Sequence, residues 1–261
     1  MEEEAKKLPE EEILTVPVPE EEEIPPVGVV IKEDFDGWKP RTKLGLSVLN
    51  KEITDIDQIL VSGIKILEAQ IVDRLIPNLE SDFALIGQSK GKFGGGKRSI
   101  WRQTQRKTKE GNKPKFSTLV IVGDKNGHVG IGLGKAKETV PAREKATRAS
   151  KTSIITIRRG CGSWACSCGT PHSIPFKVYG RCGSVKVELM PAPKGTGLAT
   201  EKETRKLLSL AGIKDIHSKT FGQTRTKINL MYAYFDALKK LTKTKVKPTY
   251  YKLSGLVEGS I

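Results

Sequence analysis

The sequence FSTLVIVGDKNGHVGIGLG, from Phe116 to Gly134, constrains the fold more tightly than any other part of the chain. Residues 116–122 are mostly β-branched or apolar, which favours a strand. The Asp-Lys-Asn-Gly at 124–127 is typical of a tight hairpin turn, because asparagine and glycine tolerate positive φ. A return strand is predicted over His128 to Gly134. We therefore expect an antiparallel hairpin at the centre of the first structural unit.

Helical patterns lie on both sides of this hairpin. From Thr54, apolar residues recur at helical spacing through TDIDQILVSGIKILEAQIVDRLIPNL, which predicts one or two helices. After the hairpin, Pro141 suits the first turn of another helix. Strands are predicted in SIWRQTQRKT before the hairpin and in SIITIRR after the second helix. The first unit is therefore predicted to contain helix, three strands and helix, followed by the strand SIITIRR.

A second unit is predicted after residue 172. SIPFKVYG and SVKVELM alternate apolar and polar residues, as strands with one buried face do. They are followed by the loop PAPKGTG, a helix near Lys202–Ala211, a short strand IHSKTFG and a last helix with one apolar face. Both helices on one side of a sheet make a small two-layer domain. The predicted fold class is α+β with two domains.

Changes in composition predict where the segments begin and end. The first residues are rich in Glu and Pro and lack aromatic residues until Phe35, so they bury too little apolar area to fold. An interaction tail, a shield for the basic body and an inert extension all remain open for them. The predicted segments are an acidic disordered extension (1–37), an N-terminal domain (38–160) with a basic Gly-rich insertion near 87–99, a Cys-rich connector (161–172), a C-terminal α/β domain (173–245) and a C-terminal tail (246–261).

The charge distribution indicates a polyanionic partner. Residues 1–34 hold twelve acidic and three basic side chains, so the positive charge of the remainder exceeds the +15 of the whole chain. Such an excess is typical of nucleic-acid binding, although a solvated basic surface is the alternative. No run approaches the ~18 apolar residues that a membrane span needs, and no signal sequence is evident. We expect a cytosolic protein without membrane contact.

Enzymatic motifs are weak. GKFGGGKR, residues 91–98, nearly matches the phosphate-binding loop, but Arg98 replaces the Ser or Thr that holds magnesium, and a strand follows instead of a helix. His128, His172 and His217 fall in no recognisable catalytic pattern. Two hypotheses can be stated at this point: a nucleotide- or RNA-processing enzyme built on Lys97 and its neighbours, and a free-standing RNA chaperone.

Basic residues gather in loops and at the ends of predicted elements, often beside glycines. Such side chains reach phosphates while the backbone approaches closely, which gives affinity without base identity. Folded RNA suits this arrangement better than duplex DNA, because no basic recognition helix is evident. The candidate RNA-binding residues are Arg98, Arg102, Arg106, Lys107, Lys109, Lys113, Lys115, Gly127, Gly130, Gly132, Lys135, Lys137, Arg158, Arg159, Arg181 and Lys194.

The segment RRGCGSWACSCGTPH contains a candidate metal site. Cys161, Cys166, Cys168 and His172 form C-x4-C-x-C-x3-H, which offers the four ligands of a tetrahedral zinc shell. Two interpretations stay open: a structural zinc that stiffens the connector and holds Arg158 and Arg159 toward RNA, and reduced structural thiols. No general base accompanies the cysteines, so a reactive centre is not favoured.

Several dense motifs resemble a known family. FSTLVIVGDKNGHVGIGLGKAKE, RRGCGSW, PHSIPFKVYGRCGSVKVELMPAPKGTGL and LAGIKDIHSKTFGQTRT are similar to the S5 family of small-subunit ribosomal proteins, in its archaeal and eukaryotic-like form. The likeness runs in order from about Trp38 to about Leu241 and covers most of the chain. Asn112, Thr139 and Arg143 depart from the usual residues of the family.

The resemblance implies a fold and a function. The fold is an N-terminal domain like a double-stranded RNA-binding domain, followed by a sheet-and-helix domain. The function is that of a structural constituent of the cytoplasmic small ribosomal subunit, not of an enzyme, and no homo-oligomer is expected. Implied partners are small-subunit rRNA, neighbouring ribosomal proteins and the messenger RNA at the channel through which it enters, with an influence on decoding accuracy. By position, the family's rRNA-contacting hairpin matches Arg106, Lys107, Lys109, Lys113 and Lys115, and its glycine-marked strand matches Gly127, Gly130 and Gly132.

Overall fold

A computed structural model describes residues 38–88 and 98–259. The predicted acidic extension and most of the Gly-rich insertion lie outside the described residues. Within the described ranges the helices are α1 Lys43–Leu49, α2 Ile56–Ser62, α3 Ala69–Leu75, α4 Thr139–Thr152, α5 Lys202–Leu210, α6 Lys227–Lys243 and α7 Pro248–Ser254. The strands are β1 Glu80–Ala84, β2 Arg102–Thr108, β3 Gly111–Gly123, β4 His128–Ala136, β5 Ile155–Thr156, β6 Arg158–Arg159, β7 Val178–Cys182, β8 Val185–Pro191, β9 Leu198–Ala199, β10 Ile216–Phe221 and β11 Val257–Glu258. A mixed α/β fold results, as predicted.

The predicted central hairpin is confirmed. β3 and β4 pair antiparallel from Phe116↔Ala136 to Gly123↔Val129, and the turn between them includes Lys125 at φ 58° and Gly127 at φ 106°. The Asp124 carboxylate accepts hydrogen bonds from the backbone N–H groups of Asn126 and His128 at 2.7 and 3.0 Å, which closes the turn. The hairpin is the middle of an antiparallel sheet ordered β1-β3-β4-β5, with β2 also on β3.

Both faces of this first sheet are buried. Leu119 and Ile121 of β3 face a core shared with the second unit, whereas Val120 and Val122 face a second core formed with α1–α4. Successive residues of a strand point to opposite faces, which explains why the run from Leu119 to Val122 is apolar at every position. β1, which sequence analysis missed because ESDFA is short and largely polar, extends this sheet along β3.

The glycines of β4 are explained by α4. Gly130, Gly132 and Gly134 occupy the face on which α4 lies, and a Cβ on any of them would overlap the helix around Ala146 and Ser150. The sequence left two explanations open, a bulged strand and close approach to a ligand. Both are wrong: the register of β4 is continuous, and the close neighbour is a helix of the same chain.

The second sheet is ordered β7-β8-β10-β9, with β9 parallel to β10. Helix α6 packs on β7 and β8, and α5 lies between α6 and the first sheet. The buried face of α6 includes Met231, Tyr234 and Leu238, all 0% exposed. One hydrophobic core therefore runs from Leu119 in the first sheet to Leu241 in α6.

The segment SIITIRR, predicted as a single strand, is divided into β5 and β6. β5 pairs with β4, whereas β6 pairs with β11 near the end of the chain through Val257↔Arg159 and Glu258↔Arg158. The predicted tail thus contains a helix and a strand. Its helix begins with Pro248 in the first turn and ends at Gly255 with φ 55°, and these two signals could have revealed it.

Candidate RNA-binding surface and metal-binding cluster

The β2–β3 hairpin projects as a two-stranded arm. Residues 102–108 pair only with 111–117 of β3, and nearly every residue from Arg102 to Lys115 is exposed. Nothing in the described parts of the chain covers either of its faces. The cations of the arm are those that the sequence predicted: Arg102, Arg106, Lys107, Lys109, Lys113 and Lys115.

The register places four of these cations on one face of the arm. Arg106 lies opposite Lys113, Thr104 lies opposite Lys115, and Arg102 follows the same alternation. Side chains directly opposite each other share a face, so Arg102, Arg106, Lys113 and Lys115 together form a surface that we name the cationic face. Lys107, opposite Asn112, lies on the other face with Gln103 and Gln105.

Like charges directly opposite each other destabilise a strand pair. Arg106 and Lys113 are such a pair. The neighbouring acid is Glu110 in the turn, whose carboxylate contacts the Lys113 ammonium at 2.6 Å with both groups well exposed. An exposed ion pair of this kind contributes little, so the cationic face keeps most of its attraction for an external anion.

A basic cleft continues the surface at the base of the arm. It encloses about 530 Å³ and is lined by Lys115, Lys135, Lys137 and Lys145, with Pro141 at the start of α4. The structure thereby brings three predicted RNA-binding lysines together. Lys145 was missed by sequence analysis, and its position one turn after Pro141 on α4 is the signal that could have placed it there.

The predicted glycines do not lie on this surface. Gly130 and Gly132 are buried under α4, and Gly127 lies against Gly259. Their function in the structure is close backbone packing within the chain, so direct contact with RNA phosphate is not available to Gly130 or Gly132.

Arg158 and Arg159 also have internal partners. Arg159 is 4% exposed, and its Nη2 donates to the Asn126 carbonyl and side chain and to the Gly259 carbonyl. Arg158 donates to the Glu258 carboxylate and to the carbonyls of Leu241 and Thr244. These arginines fasten the C-terminal segment to the body, which corrects the expectation that the connector directs them toward RNA.

The remaining predicted residues are scattered. Arg98, the one residue of GKFGGGKR that the structure describes, is half-buried. Arg181 lies exposed on β7, and its Nε donates to the Gly183 carbonyl at 3.1 Å. Lys194 is exposed in the loop after β8 and lines a separate cleft of about 710 Å³ with Lys125 and Lys214.

The four predicted metal ligands converge. The Sγ atoms of Cys161, Cys166 and Cys168 and a ring nitrogen of His172 all lie within 4.8 Å of one another. A tetrahedral zinc about 2.3 Å from each sulfur holds the sulfurs roughly 3.8 Å apart. Shifts of about 1 Å or less in each pair would complete such a shell. All four cysteines of the chain are reduced in the structure.

The buried thiol of Cys161 and the exposed thiol of Cys168 differ electrostatically. Hydrogen bonds from the Thr170 hydroxyl and backbone N–H lower the pKa of the Cys168 thiol to about 6. Burial, aided by contacts with Cys168 and Cys166, raises the pKa of the Cys161 thiol to about 11. A divalent cation among the sulfurs would favour the thiolate of both.

The carboxylate of Asp215 contacts the ring nitrogen of His172 that does not face the cysteines. Nδ1 of His172 lies 2.8 Å from Oδ2 of Asp215, and its Nε2 faces Sγ of Cys166 at 3.9 Å. Both His172 and Asp215 are buried. The cluster is also tied to α7, because the Cys161 N–H donates to the Ser254 carbonyl at 2.7 Å.

A second buried histidine lies at the turn of the central hairpin. The carboxylates of Asp124 and Asp57 contact Nδ1 and Nε2 of His128 at 2.6 and 2.9 Å. Burial opposes the imidazolium, but these two hydrogen bonds outweigh it and raise the pKa of His128 above its usual value. The group joins α2 to the hairpin and is structural.

Among residues 38–88 and 98–259, no helix is long and apolar enough to cross a membrane.

Comparison with known proteins identifies both halves of the chain. Residues 100–158 match the family model described as ribosomal protein S5, N-terminal domain, and residues 180–247 match ribosomal protein S5, C-terminal domain. The small ribosomal subunit protein uS5 of Nanoarchaeum equitans is 50% identical over 228 residues, which cover 87% of this chain and 98% of that protein. The uS5 protein of Methanocaldococcus jannaschii is 45% identical over 228 residues, with the same coverage of both chains. The Cys161–His172 cluster lies between the two matched models.

Proposed function

Because this chain belongs to the ribosomal protein S5 family, we propose that it is a structural constituent of the small ribosomal subunit that binds rRNA and neighbouring ribosomal proteins. It performs no catalytic step, and its place is in the cytoplasmic ribosome. The enzyme hypothesis has only GKFGGGKR in its favour, and that segment lies almost entirely outside the described residues.

The observation that carries the proposal is the cationic face of the β2–β3 arm. Arg102, Arg106, Lys113 and Lys115 line one side of a ribbon that no described part of this chain covers. A two-stranded hairpin without a buried face is marginally stable in water. RNA phosphates would neutralise the repulsion between Arg106 and Lys113 and order the arm.

The basic cleft extends the same surface. Lys135, Lys137 and Lys145 lie beside Lys115 at the root of the arm, and Glu138 is the one acid among the lining residues of the cleft. A phosphate backbone that follows the cationic face therefore reaches a further group of lysines. Contacts of this kind position RNA without reading its bases.

Finer parts of the proposal come from the family resemblance. The N-terminal unit is proposed to bind RNA in the manner of a double-stranded RNA-binding domain, and antiparallel strands backed by α4 support this. The arm is proposed to help shape the channel through which messenger RNA enters, and so to influence decoding accuracy. Exposed apolar side chains near α1 and α2, including Leu46, Val61 and Leu67, support contact with neighbouring proteins.

We also propose that Cys161, Cys166, Cys168 and His172 hold one structural zinc. Their convergence within 4.8 Å supports this, and reduced thiols are the alternative. Metal analysis of the purified full chain should find one zinc per chain, and Cys166→Ser should lose it. A protein that folds with no zinc, and whose stability Cys166→Ser leaves unchanged, would contradict the proposal.

Sedimentation tests the ribosomal function. In a lysate separated on a sucrose gradient at moderate salt, the chain should migrate with small subunits in a one-to-one ratio. A variant with Arg102, Arg106, Lys113 and Lys115 changed to Gln should enter subunits less well, whereas Lys107→Gln, on the opposite face, serves as the matched control. Failure of the parent chain to migrate with small subunits would refute the proposal, and nucleotide turnover that disappears in Lys97→Ala would favour an enzyme.

A further inference from the structure

The Asp215 carboxylate bridges the cysteine cluster and the loop after β8. Oδ2 accepts a hydrogen bond from Nδ1 of His172 at 2.8 Å. Oδ1 accepts hydrogen bonds from the backbone N–H groups of Gly195 and Gly197 at 3.1 and 2.8 Å. Asp215 is 4% exposed. One carboxylate oxygen of Asp215 therefore bonds to the cluster, and the other bonds to the loop.

This arrangement decides which ring nitrogen of His172 faces the cluster. A carboxylate in its ionised form only accepts hydrogen bonds, so Nδ1 is the nitrogen that donates to Asp215. Nε2 is left to face Cys166, whose Sγ is 3.9 Å away. Nitrogen and sulfur at that separation make a weak contact, whereas a buried acceptor without a good partner is costly. A metal ion between them would satisfy the nitrogen.

The loop needs Asp215 to keep its conformation. Gly195 and Gly197 adopt φ values of 90° and 72°, and the turn that they form carries Lys194. The backbone N–H groups of Lys214 and Asp215 both donate to the His172 carbonyl, at 2.9 and 3.1 Å. The loop, the start of β10 and the cluster thus converge on His172 and Asp215.

Lys194 lines a positively charged cleft with Lys125 and Lys214. Arg159 lies at its wall, and its buried Nε has no hydrogen-bond partner within the described residues. The cleft volume is about 710 Å³, and the acid on its wall, Asp215, already has both oxygens engaged. An anionic group such as an RNA phosphate is the ligand that this chemistry fits.

We propose that Asp215 is the positioning residue of the zinc centre and couples metal binding to the conformation of the 193–197 loop. Through His172 it orients the nitrogen ligand, and through Gly195 and Gly197 it holds Lys194 at the cleft. The inference rests on the proposed zinc site and on the proposed RNA binding. Outer partners that orient a histidine ligand typically contribute about 10–100-fold to metal affinity.

Zinc affinity tests the first half of this inference. Competition with a chromogenic chelator, on the full chain, should show zinc binding weakened about 10–100-fold in Asp215→Asn. The matched control is Glu203→Gln, since Glu203 is also 4% exposed. Its carboxylate accepts a hydrogen bond from the Leu85 N–H and not from the cluster. Equal zinc affinity in Asp215→Asn and the parent chain would overturn the inference.

A double-mutant cycle separates positioning from general stability. Asp215→Asn acts on zinc through the imidazole, so it should cost no zinc affinity in a His172→Ala background. An undiminished cost in that background would contradict the positioning role. Unfolding curves of the zinc-free variants show whether each one folds.

Hydrogen exchange tests the coupling in the parent chain and needs no variant. Removal of zinc should speed amide exchange at Gly195 and Gly197, and zinc should restore protection. Unchanged exchange would overturn the link to the loop. A chain that binds no zinc would instead sink the zinc proposal, and a zinc-loaded chain that binds no rRNA would sink the ribosomal function.

RNA binding is tested with a transcript of small-subunit rRNA. Zinc removal should weaken binding of the parent chain but not of Lys194→Gln, in which the coupled cation is already absent. An equal reduction in both proteins would mean that the metal affects RNA binding by a route other than Lys194, which would overturn the link to the cleft.

Discussion

The double variant Arg106→Gln/Lys113→Gln tests whether the arm binds RNA through one face. These side chains lie directly opposite each other on the cationic face. Log affinity falls as log salt rises, and removal of one phosphate-binding cation lowers the steepness of that fall by about 0.7–0.9. The double variant should therefore lower the steepness by about 1.4–1.8. Between about 50 and 200 mM salt, the affinity of the variant should therefore fall about tenfold less than that of the parent chain.

The assay is a titration of the full chain with a small-subunit rRNA transcript at several salt concentrations. Lys107→Gln is the control, because Lys107 lies opposite Asn112 on the other face, and it should leave the slope unchanged. The double variant should also unfold no more easily than the parent, since it removes a like-charge pair that opposes strand pairing by about 0.2–1 kcal/mol. If Lys107→Gln lowers the slope by about 0.7–0.9, the amount expected for each cation removed in the double variant, the assignment of binding to one face is refuted.

Three further predictions concern the body of the protein. Gly132→Ala should lower the free energy of unfolding by about 1–3 kcal/mol in chemical denaturation, because the added methyl group overlaps the α4 backbone; an unchanged value would contradict the close packing. Asp57 and Asp124 favour the charged form of His128, so its stabilising contribution should be fully present below its ordinary pKa of 6.5. The free energy of unfolding should then fall as the pH rises through the raised pKa of the folded state. The same dependence of this free energy on pH in His128→Gln would rule this out. Trp164→Ala should leave the free energy of unfolding within about 0.5 kcal/mol of the parent value, because the side chain is 99% exposed, and a larger decrease would show that the ring packs against the chain.

The features that could be predicted from the sequence are those encoded by neighbouring residues. The hairpin turn at Asp124–Gly127 depends on local backbone preferences, and the structure confirms it. The four candidate metal ligands lie within a single short loop, so their spacing in the sequence was enough to predict that Cys161 and His172 belong to one site. The exposure of the arm cations also follows from the local sequence, because Arg102–Thr108 contains no apolar residue to bury.

The features that could not be predicted depend on distant segments. Arg159 looked like a surface cation, but its partners Asn126 and Gly259 lie far from it in sequence. The link between His172 and Asp215 spans 43 positions, and no local pattern marks either residue as the partner of the other. The glycines of β4 predicted a ligand close to the strand, whereas the structure has the backbone of α4 at that position.

The pairing of β6 with β11 has a consequence for the order in which the molecule forms during synthesis. Arg158 meets Glu258, 100 positions later, and the Cys161 N–H meets the Ser254 carbonyl. A growing chain emerges N-terminus first, so the arm and the cysteine loop leave the exit tunnel long before β11 does. The pairing of β6 with β11 can therefore form only after β11 has been synthesised, well after the arm and the cysteine loop.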